Sequence, residues 1–246
     1  MRPDELLRAG KLQDAIQALV GEVRDHPADH RRRTFLFELL CFSGEFSRAS
    51  KHLNVLATSS QDAEMGALLY RSALAAEQKR QAFFEARAWA GSATPAPAAV
   101  SGTINGRPFQ SLEDADPRIG ARLEVFVAGE YIWLPFEHIG SVRIESPRLL
   151  RDLIWSTARV TTGPSFQGQE FGEVLAPVLC PFSWKHASET VKLGRATEWV
   201  PEGEDGLEVP AGQKLLVIDG EEAIPFLEIR EINFNPSSVQ DPSVAS

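Results

Sequence analysis

The feature that most constrains this chain is an echo of itself at a spacing of 34 residues. Gly10, Leu12, Ala15 and Leu19 are matched in order by Gly44, Phe46, Ala49 and Leu53. A self-match at this period marks a helix–turn–helix repeat of the tetratricopeptide type. Each glycine stands where one helix closes and the next begins, because glycine tolerates the left-handed backbone of a helix C-terminus. Leu12 or Phe46 anchors the new helix, and the small Ala15 or Ala49 allows a close approach between helices. Leu19 or Leu53, four residues on, lies on the same face. Pro27 falls where the first helix pair ends. The next pair is predicted to start with a helix over His30–Phe42, with Leu36 and Leu40 as its buried stripe. The third copy decays. Tyr70 and Leu74 keep the register, but Gln78 and Arg80 replace the glycine and its apolar partner. Residues 62–89 still read as helix from their Ala, Leu, Glu, Arg and Gln content, either as an atypical capping pair or as one long helix.

Stacked helix pairs make a concave face, and such a face suits an amphipathic helix from another protein. In the usual repeat geometry the inward positions are Arg31, Thr34, Glu38 and Cys41, followed by Met65, Leu68 and Ser72. Two and a half repeats make a small groove, so a single helix is the expected ligand.

Charge separates the chain into unequal halves. Residues 1–90 hold 13 Lys and Arg against 12 Asp and Glu, whereas residues 91–246 hold 12 against 22. The acidic second half argues against nucleic acid, because phosphate binding needs a cationic surface. The one basic run, Arg31-Arg32-Arg33, reads as a solvated helix face, or as an attraction for an acidic partner segment. No apolar run is long enough to cross a bilayer, and the first residues lack the apolar core of a secretory signal. Cys41 and Cys180 lie in different halves. Two thiols so placed suggest a reducing cytoplasm and two buried small hydrophobes rather than a disulfide.

Composition changes at Gly91. Residues 91–100 are small, Pro-containing and uncharged, and read as a linker. Beyond them the apolar period becomes alternating. Residues 123–127 and 131–134 flank Ala128-Gly129-Glu130, the pattern of a β-hairpin. A third strand is predicted at 142–145. A short helix is predicted to start at Ser146-Pro147, with Leu149, Leu150, Leu153 and Ile154 as its stripe. Further strands are predicted at 156–162, 173–179, 190–193, 214–219 and 229–234, with a turn at Gly220-Glu221. The expected fold is α+β: a repeat-like helical module over 1–90, a linker at 91–100, and a mostly antiparallel β-rich domain over 101–235. The Pro- and Ser-containing tail 236–246 is expected to be disordered.

Catalytic signatures are absent from the sequence. It has no phosphate loop, dinucleotide fingerprint, Gly-x-Ser-x-Gly elbow or His-Glu-x-x-His pair. Cys180, Ser183 and His186 are close in sequence but lack an orienting third group. His26 and His30 are separated by Pro27 and a turn, so they share no helix face, and no metal site is expected. Glu137, His138, Trp155 and Glu173 are the residues around which an enzyme site would form, with surface acids the plainer reading. Tyr131, Trp133, Trp155, Trp184 and Trp199 form a possible aromatic surface. Aromatics are favoured at interfaces, but they are also the usual bulk of a small β-core, and core is the more common fate.

Taken together, several segments resemble a known family. They are Tyr-Ile-Trp-Leu-Pro-Phe-Glu-His-Ile (131–139), Pro-Arg-Leu-Leu-Arg-Asp-Leu-Ile-Trp (147–155), Gly-Glu-Val-Leu-Ala-Pro-Val-Leu-Cys-Pro (172–181) and Gly-Arg-Ala-Thr-Glu-Trp (194–199), behind the two repeats. The chain resembles the ImpE family, also called SciE or TagJ, over nearly its whole length, with 131–155 the most specific block. The resemblance implies a non-enzymatic cytoplasmic accessory protein of bacterial type VI secretion systems, with no cofactor. It further implies an association with a helix near the N-terminus of the small contractile-sheath subunit (TssB-type), and so with sheath assembly or with recycling by a ClpV-type AAA+ ATPase. Two alternatives stand beside it: an enzyme with its site in the β-domain, or a general co-chaperone adaptor gripping acidic tails through Arg31–Arg33.

Overall fold

The computed structural model describes residues 1–58, 61–90, 100–164, 171–203 and 206–235. Five helices open the chain: α1 (Pro3–Arg8), α2 (Leu12–Asp25), α3 (His30–Phe42), α4 (Phe46–Ala57) and α5 (Gln61–Glu85). The echo in the sequence appears as two turns of the same construction. Gly10 and Gly44 both sit in the left-handed region, at φ 76° and 74°. In each turn the next amide reaches back five residues, Lys11 to the Leu6 carbonyl and Glu45 to the Leu40 carbonyl, both at 2.9 Å. This is the Schellman closure that a C-terminal glycine permits. Asp29 opens α3 by accepting the Arg32 amide at 3.0 Å. The third copy becomes one 25-residue helix. Gln78 takes the place of the closing glycine, so nothing in the backbone stops α5 there.

The β-domain begins with β1 (Gly102–Ile104), β2 (Arg107–Phe109) and β3 (Leu112–Asp114). The hairpin β4 (Arg122–Val127) and β5 (Glu130–Pro135) follows, then β6 (Ile139–Ile144), β7 (Trp155–Thr162) and β8 (Gly172–Pro177). A one-turn helix, α6 (Glu189–Lys192), precedes β9 (Thr197–Glu202), β10 (Leu207–Gly212), β11 (Leu215–Ile218), β12 (Glu222–Pro225) and β13 (Glu231–Phe234). The main sheet has eight strands in the order β2-β1-β13-β6-β7-β8-β4-β5, beside a three-stranded sheet β12-β11-β3 and a ribbon β10-β9. Every described ladder is antiparallel. The hairpin turn is Ala128-Gly129, with φ 50° and 85°, which matches the twist of the strands it joins.

Where β4, β7 and β8 meet the helices, both faces of the main sheet are buried, whereas Arg143, Arg159 and Asn233 on β6, β7 and β13 face solvent. Phe126, Trp155 and Leu175 point to one side and join the core of the helices. Their strand neighbours Val125, Ala158, Val174 and Ala176 point to the other and form a second core with Leu216, Ile218 and Phe226. In that region the period-2 alternation sorts residues between two cores rather than between core and water.

Several expectations are corrected. The strand predicted at 190–193 is α6. Its Glu189 carboxylate accepts the amides of Leu12 and Gln13 at 3.0 and 2.9 Å, and Gly194 closes it at φ 65°. The helix predicted from Ser146-Pro147 starts later, as a 3-10 turn over Leu150–Leu153. Asp152 accepts the amides of Arg148 and Leu149, both at 2.8 Å, and so holds the start of the helix at that point. Strands β1, β2, β3, β9, β10 and β12 were not predicted. Of the expected linker, residues 91–99 lie outside the described residues, and Val100 is buried in the second core. The tail 236–246 also lies outside them.

Candidate functional site

The seam between helices and sheet determines which predicted residues are free. The C-terminal half of α5 lies on the β4–β5 hairpin, and a buried ionic network joins them. Arg80 donates from Nε and Nη2 to the two oxygens of Glu124 at 2.8 and 2.9 Å. It also reaches the Leu179 carbonyl at 3.0 Å and Glu77 at 3.3 Å. Lys214 sits on the far side of Glu124, at 2.6 Å, and 2.5 Å from Asp114. Burial alone would raise the Glu124 pKa, but Arg80 and Lys214 overcome it and hold the carboxylate far below its usual range. Burial also pushes Asp114 up to about 6, because Lys214 only partly offsets it and Glu124 adds to it. Desolvation likewise opposes the charge on Arg80 and Lys214, and the surrounding carboxylates raise both in spite of it. A saturated network of this kind fixes geometry and leaves no free acid or base for chemistry.

Aromatic rings extend the seam. Phe83 of α5 meets Trp133 and Tyr131 edge-on at 5.0 and 5.7 Å. Tyr131 donates to Glu124 at 2.5 Å, and Trp133 donates to Tyr131. Trp155 is buried, stacks on Tyr70 and donates to Glu77 at 3.1 Å. Trp184 lies under the Gly44 turn, where a Cβ would come within 2.3 Å of its ring. The possible aromatic surface is therefore mainly mortar between the two halves. Trp199, on β9, is the exposed member, at 50%.

The seven inward positions separate in the same way. Glu38 is buried and paired with Arg151 at 3.0 Å, and burial raises its pKa despite that partner. Cys41 is buried in the helical core, and burial, with Glu38 and Glu77 nearby, raises its thiol. Cys180 is buried and raised as well, so neither thiol is poised as a nucleophile. Thr34 is half-buried, and Arg31 is exposed. Its neighbours are engaged within the bundle: Arg32 with Glu22 at 2.9 Å, Arg33 with the Pro27 carbonyl at 2.7 Å. At Glu38 and Cys41 the concave face expected for a partner is thus closed within the protein.

What stays open is the N-terminal half of α5. Met65 and Leu68 are 69% and 62% exposed. Leu69, which the sequence reading missed, is 49% exposed. With Ser72 these residues fall at i, i+3, i+4 and i+7, an apolar stripe on one helix face. The stripe runs into a trough of about 110 Å³ between Leu69, Ser72, Ala73 and the β4–β5 turn at Ala128-Gly129, floored by Phe126 and Leu175. Val55 on α4 adds a further exposed apolar side chain, at 47%. The sequence signal for Leu69 was present: in an amphipathic stripe the position after Leu68 belongs to the same face.

The remaining candidates do not assemble. Glu137 and His138 lie in the 3-10 turn after β5, Glu173 lies on β8, and Trp155 is buried against the helices. Among the described residues no group of three or more His, Cys, Asp or Glu is placed to hold a metal ion. No helix among them is long and apolar enough to cross a membrane.

The family described as ImpE protein matches residues 106–233. The type VI secretion system accessory component TagJ of Pseudomonas aeruginosa is 33% identical over 271 aligned positions, covering 96% of this chain and 92% of that protein. The crystal structure of protein VPA1032 from Vibrio parahaemolyticus has the same fold, with a TM-score of 0.82 at 23% identity over 95% of this chain and 97% of that one. With this match through the β-domain and a curated relative aligned along almost its entire length, the chain belongs to the ImpE family.

Proposed function

We propose that this chain is a non-enzymatic cytoplasmic adaptor of a bacterial type VI secretion system, gripping one amphipathic helix of the small contractile-sheath subunit along α5. The observation that carries the proposal is the exposed stripe Met65, Leu68, Leu69 and Ser72, which opens into the trough beside Gly129. Exposed apolar side chains grouped on one face mark an interaction surface, and helix-in-groove recognition uses this i, i+3, i+4, i+7 spacing. The relative from Pseudomonas aeruginosa is described as a type VI secretion system accessory component, which supports the same setting here. By holding the sheath helix, the adaptor assists sheath assembly or recycling by a ClpV-type AAA+ ATPase.

The co-chaperone alternative has weaker support, because Arg32 and Arg33 are already engaged inside the bundle. A pull-down of the sheath small subunit, with and without its N-terminal helix, tests the proposal. The full subunit is retained and the truncated one is lost; equal recovery of both rejects helix-in-groove binding.

A further inference from the structure

A second cleft, at the opposite end of α5, is lined by an arginine that one carboxylate holds closely and a second meets without a formed hydrogen bond. The Arg118 side chain is fully buried, and its guanidinium lies 4.8 Å from the Phe84 ring. Asp116 takes two of its nitrogens, Nε at 2.8 Å and Nη2 at 2.6 Å. The third, Nη1, has no hydrogen-bond acceptor among the described residues. The nearest anion is Glu202 at the end of β9, 3.4 Å away and a quarter exposed. Asp116 holds the guanidinium rigidly, and Nη1, ion-paired with Glu202 but without a formed hydrogen bond, is oriented for an oxygen anion that displaces that carboxylate.

Arg118 lines a cleft of about 370 Å³ between the segment after Cys180 and the β9–β10 ribbon. Phe182, Val200 and Val209 give it apolar walls, and Lys185 and His186 stand at its rim. The Lys185 ammonium lies 4.0 Å from the Phe182 ring centroid and 3.6 Å from the exposed Glu85. His186 receives the Ser188 amide on Nδ1 at 3.1 Å, and its Nε2 is 3.6 Å from Glu198. Phe182 holds a left-handed backbone, φ 60°, with its amide on Gln81. A non-glycine residue in that region is strained, and such strain gathers at sites of function.

We infer that this cleft binds a carboxylate carried on an apolar body, with Arg118 Nη1 and Lys185 as the anion contacts and Glu202 as a built-in competitor. The anion meets the buried arginine, and the apolar part lies on Phe182, Val200 and Val209. A small organic acid and the C-terminus of a peptide share this chemistry. The site is separate from the α5 stripe, so its failure leaves the adaptor proposal standing.

Titration calorimetry with benzoate and with N-acetyl-leucine tests the inference, with N-acetyl-leucinamide and inorganic phosphate as comparison probes. At least one acid binds in the millimolar range, and the amide and phosphate bind more weakly. Binding of benzoate alone assigns a small organic acid, and binding of N-acetyl-leucine alone assigns a peptide C-terminus. Glu202→Gln removes the competing charge and tightens binding severalfold, while Lys185→Ala weakens it severalfold. Lys185 reaches solvent, so Lys185→Ala retains the melting temperature of the parent; Glu202→Gln lowers it slightly, because Asp116 still pairs with the buried Arg118. Failure of both acids to bind, equal binding of amide or phosphate, or an affinity indifferent to Glu202→Gln overturns the assignment.

Discussion

Helix α5 carries two surfaces. From Ala73 to Phe84 it is built into the protein: Leu74, Ala76, Glu77, Arg80 and Phe84 are all buried. From Met65 to Leu69 it turns large apolar side chains to solvent, although Ala67 between them is buried. The first region uses charge where a repeat would use an apolar anchor, and each of its charges is met by another. The second uses apolar residues where a surface helix would use charge, and Met65 and Leu68 stand open among the described residues. The lesson is that burial, rather than position in a repeat, separates the scaffold of this protein from its candidate interface.

The sharpest way to break the comparison is to damage the buried half. Arg80→Ala leaves Glu124 and Glu77 without their shared partner inside the protein. Loss of one member of a buried pair costs about 3–5 kcal/mol, so urea melts of this variant show the largest destabilisation. The two turn glycines sharpen it next. At Gly44 an alanine meets the Trp184 ring at 2.3 Å in addition to its left-handed strain, whereas at Gly10 the nearest atom is 3.8 Å away. Strain alone costs about 1–2 kcal/mol, and overpacking adds about 1–3 kcal/mol. Gly44→Ala therefore destabilises more than Gly10→Ala, and Trp184→Leu narrows the gap between them in the same melts.

Acidification probes the seam more gently. Asp114 titrates near 6 in the folded protein, against about 3.9 in an unfolded chain. Between those values the folded state holds the extra proton, so this group's contribution to stability rises as pH falls from 7 towards 4, by up to about 3 kcal/mol. Glu38 is raised too and acts in the same direction. Glu124 is depressed and acts oppositely, its contribution being lost only on acidification below the usual carboxylate range. Thermal melts across this window show the gain, and Asp114→Asn removes most of it.

How much of this was legible in the sequence depended on whether the signal was local. The two glycine turns and the β4–β5 hairpin are set by residues a few positions apart, and they were read correctly. Strand 190–193 failed because its apolar residues mimic alternation, while the decisive contact, Glu189 to Leu12 at the start of α2, spans 177 positions. The ionic network was invisible for the same reason, since Arg80, Glu124 and Lys214 meet only after folding. Its one trace was the decay of the third repeat at Gln78 and Arg80. Those two substitutions mark where α5 runs on as a single helix and where the second half docks onto it. In the candidate site, Arg31, Met65, Leu68 and Ser72 were read from repeat geometry; Arg31, Met65 and Leu68 are exposed and Ser72 is half-buried. Glu38 and Cys41 were read by the same rule and lie buried, because a period carries no information about what the rest of the chain covers.

The smallest expected effect on stability belongs to the exposed half, and it is the most informative. Leu68→Asp lies on the surface, where substitutions typically change stability within about 0.5 kcal/mol. Calorimetric titration of the sheath subunit's N-terminal helix into parent and Leu68→Asp proteins of equal melting temperature tests the central claim directly. The account predicts saturable binding to the parent and a loss of at least about 2 kcal/mol in the variant, the scale of an interface hot spot. Unchanged affinity in the fully folded variant would contradict it.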